Sequence, residues 1–189
     1  VPTSMENNFQ LTVDALERAI TPKTKLLLIG YPNNPTGAIM PREELMKIAD
    51  FAKAHDLIVL SDEIYADLTY DAEHTCFSSL PGMKERTIVF NGFSKAYAMT
   101  GWRIGFLAAP LEVAKAVTKL QGQTTSGISS IGQCAALAAY TGSQQCVEDM
   151  RKAFERRRDL VVGLAREIPG LKVNCPQGAF YLFPDVHSF

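Results

Sequence analysis

Four short apolar runs mark the chain, at residues 25–30, 57–62, 87–91 and 104–109, each closed by turn residues or charges. Runs of that length and punctuation predict β-strands. Leu26-Leu27-Leu28-Ile29 and Leu57-Ile58-Val59-Leu60 do not alternate with polar residues, a pattern that predicts strands covered on both faces. Between the runs the period lengthens. Thr12 is placed to cap a helix showing Leu16, Ala19 and Ile20 on one face. After Pro41, a good first-turn residue, Leu45, Ile48, Ala49 and Ala52 recur at i, i+3, i+4 and i+7. Strand and helix in alternation predict an α/β domain with a largely parallel sheet.

Past residue 110 the pattern becomes helical. Residues 111–120 and 128–140 read as helices, the second rich in alanine. Residues 145–167 carry Val147, Met150, Phe154, Val161 and Leu164 at the spacing of one long helix, stopped by Pro169-Gly170. Residues 171–173 and 179–183 then offer two strand candidates around Pro176-Gln177-Gly178. There are too few residues left for these to complete a second domain.

Composition narrows the function classes. Of 189 residues 47% are hydrophobic, and 19 Lys plus Arg face 20 Asp plus Glu, for a net charge of -1. That is enough apolar material for a core, with no basic footprint for nucleic acid or an anionic membrane. No apolar run reaches the roughly 20 residues that span a bilayer. The start, Val1-Pro2-Thr3-Ser4-Met5, has no secretory pattern and no initiating Met, so the natural N-terminus is expected elsewhere. Cys76, Cys134, Cys146 and Cys175 are scattered, with three histidines and no ligand spacing, so we expect reduced thiols, no metal and a cytoplasmic protein. Arg156-Arg157-Arg158, between Glu155 and Asp159, reads as a solvated helix face. His55, His74 and His187 read as surface or loop residues.

In a parallel α/β sheet the ligand crevice lies beyond the carboxyl ends of the strands. Three segments fall there: Tyr31-Pro32-Asn33-Asn34-Pro35-Thr36-Gly37, Ser61-Asp62-Glu63-Ile64-Tyr65 and Gly92-Phe93-Ser94-Lys95. Each has an ordinary reading as well. Asn-Pro-Thr-Gly is common turn chemistry, Asp62 could cap the following turn, and a single lysine is usually a surface residue. Together they match one chemistry. A crevice lysine can form a Schiff base with an aldehyde cofactor, and an acid opposite a pyridine nitrogen keeps the ring an electron sink. Asp62 could be that acid, and Asn34 and Tyr65 could bond a phenolic oxygen. Arg103, eight residues past Lys95, offers a fork for phosphate, with Ser94 adding a hydroxyl.

The segments Asn33-Asn34-Pro35-Thr36-Gly37, Ser61-Asp62-Glu63-Ile64-Tyr65 and Ser94-Lys95-Ala96-Tyr97-Ala98-Met99-Thr100-Gly101-Trp102-Arg103-Ile104-Gly105 resemble those of the class I and II aminotransferases, pyridoxal 5'-phosphate enzymes of fold type I. The resemblance covers roughly residues 10 to 183, with Gly178-Ala179-Phe180-Tyr181 as a further landmark. It implies a three-layer α/β/α fold with a mostly parallel sheet over residues 1–150, and a linking helix and the start of a smaller α+β domain over 151–189. It also implies that the strand at 104–109 runs antiparallel. Lys95 would form the Schiff base and move the substrate α-proton, Asp62 would pair with the pyridine nitrogen, and Asn34 and Tyr65 would bond the ring 3-oxygen. Arg103 would bind the phosphate. Many members place a serine three residues before the lysine; here that position is Gly92, and Ser94 is the substitute. Family members are longer, so a fragment is expected, without the carboxylate-binding arginine. The implied function is transfer of an amino group between an L-amino acid and a 2-oxo acid, in a homodimer, with no nucleic-acid or membrane partner. A carbon-sulfur β-lyase and a non-catalytic module of the same fold are the alternatives.

Overall fold

A computed structural model describes residues 1–189. Its centre is a four-stranded sheet of β1 (Leu26–Gly30), β2 (Ile58–Asp62), β3 (Thr87–Gly92) and β4 (Gly105–Ala108), in that spatial order. β1, β2 and β3 are parallel, and β4 returns antiparallel beside β3. Every strand falls within one residue of the position that the apolar runs predict.

One face of the sheet is closed by α1 (Val13–Ala19) and α2 (Arg42–Ala54). Thr12 caps α1, its hydroxyl accepting from the Ala15 amide at 3.2 Å. The apolar stripe of α2 places Leu45, Ile48, Ala49 and Ala52 against Leu27, Ile29 and Val59, with Phe77, Leu80 and Met83 completing the core. Full burial of each large member contributes about 1.5–3 kcal/mol.

The opposite face departs from expectation. β1 is buried only at Leu27 and Ile29, while Leu26, Leu28 and Ile58 are exposed, Leu28 at 70%. Continuous hydrophobicity shows that both faces could be covered; it does not say by what, and no helix of this chain buries Leu26 or Leu28. α3 (Leu111–Thr124) covers the β3/β4 side, where Ala114 and Val117 line a groove with Phe90 and Phe106, and its first turn meets the start of β2, where Leu111 and Val113 line a second groove with Ile58. α4 (Ser130–Thr141) sets Tyr140 against Phe93, Tyr97 and Phe106.

α5 (Gln145–Arg166) is the long helix the spacing predicts. The tail beyond it is not two strands. Lys172 makes one isolated bridge to Asp185 and Gly178 one to Thr69, and residues 179–183 make none. Neither stretch finds a neighbour with which to run a ladder, so strand-like composition has nothing to pair with. The arginine cluster on α5 also splits. Arg156 and Arg157 are solvated, whereas Arg158 lies under the Tyr70 ring and pairs with Asp71 and Asp159.

Candidate active site

The register places Gly30, Asp62 and Phe90 side by side on β1, β2 and β3, neighbouring strands being about 4.8 Å apart. The three sequence segments therefore leave the sheet at one edge. Val59 and Ser61 point into the core, so the pleat turns Asp62 to the other face, where it is exposed. Asp62 Oδ1 accepts from the Ile64 amide at 3.2 Å, so the turn-capping reading holds for one oxygen. Oδ2 has no protein partner.

After β1 the two asparagines divide the work. Asn33 builds the loop: its amide donates to the Gly30 carbonyl at 3.0 Å and its Oδ1 accepts from the Thr36 hydroxyl at 2.9 Å. Asn34, next along, is exposed and forms no side-chain hydrogen bond with the protein. The structure thus spends Asn33 on shape and leaves the Asn34 amide without a protein partner.

After β3 the buried Phe93 anchors a tight turn through its carbonyl, which accepts from the Tyr97 and Met99 amides at 3.3 and 3.2 Å. Lys95 stands in this turn. Its Nζ lies 5.5 Å from the ring centroids of both Tyr65 and Phe180, within cation–π range of each. It forms no ion pair. Ser94 is half-buried, and its carbonyl accepts from the Thr100 hydroxyl at 3.0 Å. Gly92 is forced: a Cβ there would lie 2.8 Å from Gly105 Cα and 2.9 Å from the Ile104 carbonyl. The close approach of β3 and β4 leaves no room for a serine three residues before Lys95. Arg103 closes the segment with φ at 55°, after the short 3-10 turn Thr100–Trp102. Its guanidinium is exposed and bonds only the Thr100 carbonyl, at 2.9 Å.

The tail ties these segments together. The Gln177 and Gly178 amides both donate to the Gly37 carbonyl at 2.9 Å, and the Ala179 amide donates to Leu68 at 2.8 Å. Residues 176–179 are a wedge between the Asn34 loop and the Tyr65 segment. The residues after the wedge were not singled out as site residues by sequence. Tyr181 hydrogen-bonds the Tyr65 hydroxyl, and Phe180 packs edge-on to Tyr65 at 5.4 Å. The only signal for them was the Gly-Ala-Phe-Tyr landmark.

A family model for aminotransferase class I and II matches residues 1–188. The chain belongs to the class I and II aminotransferases. It is 47% identical over 185 residues to an aspartate aminotransferase of Geobacillus stearothermophilus, covering 97% of this chain and 47% of that protein. It is 49% identical over 189 residues to an aromatic-amino-acid aminotransferase of Thermococcus litoralis, covering 98% and 48%. The crystal structure of an aromatic aminotransferase from Pyrococcus horikoshii superposes with a TM-score of 0.97 at 46% identity, covering all of this chain and 51% of that one. The chain spans about half the length of the relatives it matches.

In this aminotransferase-family chain a second polar cluster lies directly behind Asp62. Glu63 is 3% exposed, and its Oε1 accepts from the Ser61 hydroxyl at 3.0 Å and the Phe77 amide at 2.9 Å. Its Oε2 meets His74 Nε2 at 2.8 Å. His74 is therefore not the surface residue its isolated position in the sequence suggests; its side chain is 14% exposed because the carboxylate holds it. Burial pushes the Glu63 carboxyl up, but the bonds from His74, Phe77 and Cys76 outweigh it and keep the group below its ordinary value. No helix is long and apolar enough to cross a membrane.

Proposed function

We propose that the protein containing this chain is a pyridoxal-phosphate-dependent aminotransferase, moving an amino group between an L-amino acid and a 2-oxo acid. The observation that carries the reading is the place of Lys95: an amine without an ion partner, between two aromatic rings, at the sheet edge where Asp62, Asn34, Tyr65 and Arg103 also emerge. The donor set fits the cofactor group by group. It has an amine for an aldehyde, a carboxylate for a ring nitrogen, an amide and a phenol for an anionic oxygen, and a guanidinium for a phosphate. When bound, pyridoxal phosphate supplies a carbonyl that condenses with amines and a ring that accepts an electron pair.

The chain's own residues do the rest. Asp62 Oδ2, without a protein partner, would hold a proton on the ring nitrogen. Asn34 and Tyr65 would donate to the ring oxygen, Arg103 would anchor the phosphate with Ser94 beside it, and the Phe180 ring would exclude water on one side of Lys95. Lys95 Nζ would take the proton from the substrate α-carbon as general base and return it as general acid. We assign residues 1–150 to the cofactor-binding domain and 151–189 to the linking helix and the beginning of a smaller domain. The enzyme is a cytoplasmic homodimer in this reading, its four unpaired cysteines suiting a reducing compartment.

Borohydride reduction of the cofactor-loaded protein tests the assignment. We expect a mass increment on the peptide carrying Lys95, lost in Lys95→Ala together with transamination. Transamination undiminished in Lys95→Ala would overturn the reading, and release of pyruvate from cystathionine in place of a new amino acid would move the protein to the β-lyases.

A further inference from the structure

The Tyr65 hydroxyl is expected to face an anionic oxygen, yet in the fold it already has a partner. Tyr181, 116 residues away, brings its hydroxyl to 2.5 Å from it, with the two rings edge-on at 5.7 Å. The approach is built into the backbone. The Ala179 amide bonds Leu68, the Tyr70 amide bonds Gln177, and the Tyr70 hydroxyl donates to the Ala179 carbonyl. Ala179 is fully buried with φ at 56°, a left-handed conformation that an alanine holds only under constraint and that turns the chain toward Tyr65. Stacking of Phe180 on Phe154 at 5.2 Å secures the neighbouring residue. Four contacts and one left-handed residue thus converge on placing one phenol against another.

A phenol has one proton and can accept as well as donate. If Tyr65 gave its proton to Tyr181 it would have none for the crevice. We propose that Tyr181 is a positioning residue for Tyr65: its hydroxyl donates to the Tyr65 oxygen, so that the Tyr65 proton points into the crevice, toward the cofactor's anionic ring oxygen. The inference rests on the cofactor reading above. Donation into Tyr65 also polarises its O–H and strengthens the outward bond. The groups that face Tyr65 agree with a donor role. Burial first, then Tyr181 and the Asp62 carboxylate, push the Tyr65 phenol well above its ordinary 10.0, so it keeps its proton. The Lys95 ammonium lies 5.5 Å from its ring.

The test is the pH midpoint of the visible band of the cofactor-loaded protein at its native length, with borohydride labelling of Lys95 as a parallel arm. A donor to the ring oxygen favours its anionic form and lowers that midpoint. Tyr65→Phe should raise the midpoint by about one pH unit and Tyr181→Phe by about half, in the same direction, as fits the loss and the weakening of one hydrogen bond. In the Tyr65→Phe background the second substitution should add nothing, because it acts through the residue already removed. A midpoint unchanged by Tyr181→Phe, or moved equally with and without the Tyr65 hydroxyl, would overturn the proposal. So would a change confined to melting temperature, which a purely structural contact predicts. Absence of both band and label in the unsubstituted protein would instead overturn the cofactor reading and this inference with it.

Discussion

Arg103 holds a left-handed backbone that glycine would adopt freely, at a cost of about 1–2 kcal/mol for a residue with a side chain. Nothing in the fold repays this, since its guanidinium reaches only the Thr100 carbonyl. An anion in the crevice would. Arg103→Ala should raise the dissociation constant for pyridoxal phosphate roughly 10- to 100-fold, as expected for a lost charge-assisted hydrogen bond, and leave binding of unphosphorylated pyridoxal unchanged; titration of the visible band measures both. Glu63 makes a prediction in pH. Its folded carboxyl titrates below its ordinary 4.5, so its stabilisation is fully present above that value and is lost as the pH falls through the lower folded value. Glu63→Gln should therefore destabilise by about 1–3 kcal/mol at neutral pH, and the gap in melting temperature from the parent should close as the pH falls below the ordinary 4.5.

At the level of elements, two glycines in opposite surroundings should respond with opposite signs. Gly37 has φ at 68°, and a Cβ on it would lie 2.3 Å from Pro176 Cβ, a rigid ring in the wedge. Gly37→Ala should cost at least about 2 kcal/mol in urea unfolding, from backbone strain and overpacking. Gly163 sits within α5 with nothing within 4 Å of a new Cβ. Gly163→Ala should stabilise by about 0.5–1 kcal/mol, because alanine restricts the unfolded chain and suits a helix. The wedge also explains why 171–173 and 179–183 resemble strands without being strands. Their apolar residues serve contacts made singly: Ala179 and Tyr181 pack around Tyr65 and Leu68, and Phe183 lies edge-on to Phe9 at 5.7 Å.

For the molecule as a whole, the sheet and the tail divide stability from function. The core under α1 and α2 is continuous and involves no residue beyond Met83. The Asn34 loop and the Tyr65 segment, by contrast, are held by contacts from residues 176–181, more than a hundred positions away. A chain ending at residue 175 should keep its sheet, while amide exchange monitored by mass spectrometry should speed up in residues 33–38 and 65–70 relative to β2 and β3. Equal protection in the two chains would show that the wedge does not hold the loops.

The strands, the five helices and the identity of Lys95, Asp62, Asn34 and Arg103 as candidates were legible in the sequence. Periodicity reports local burial, turn residues report chain reversals, and a parallel sheet brings the ends of its strands to one edge whatever the details. Tertiary structure alone decided which face of the sheet is covered, that Gly92 has no room for a serine, that His74 belongs to Glu63, and that Tyr181 meets Tyr65. These depend on distances between segments far apart in the chain, and the spacing of residues along a sequence carries no measure of such distances.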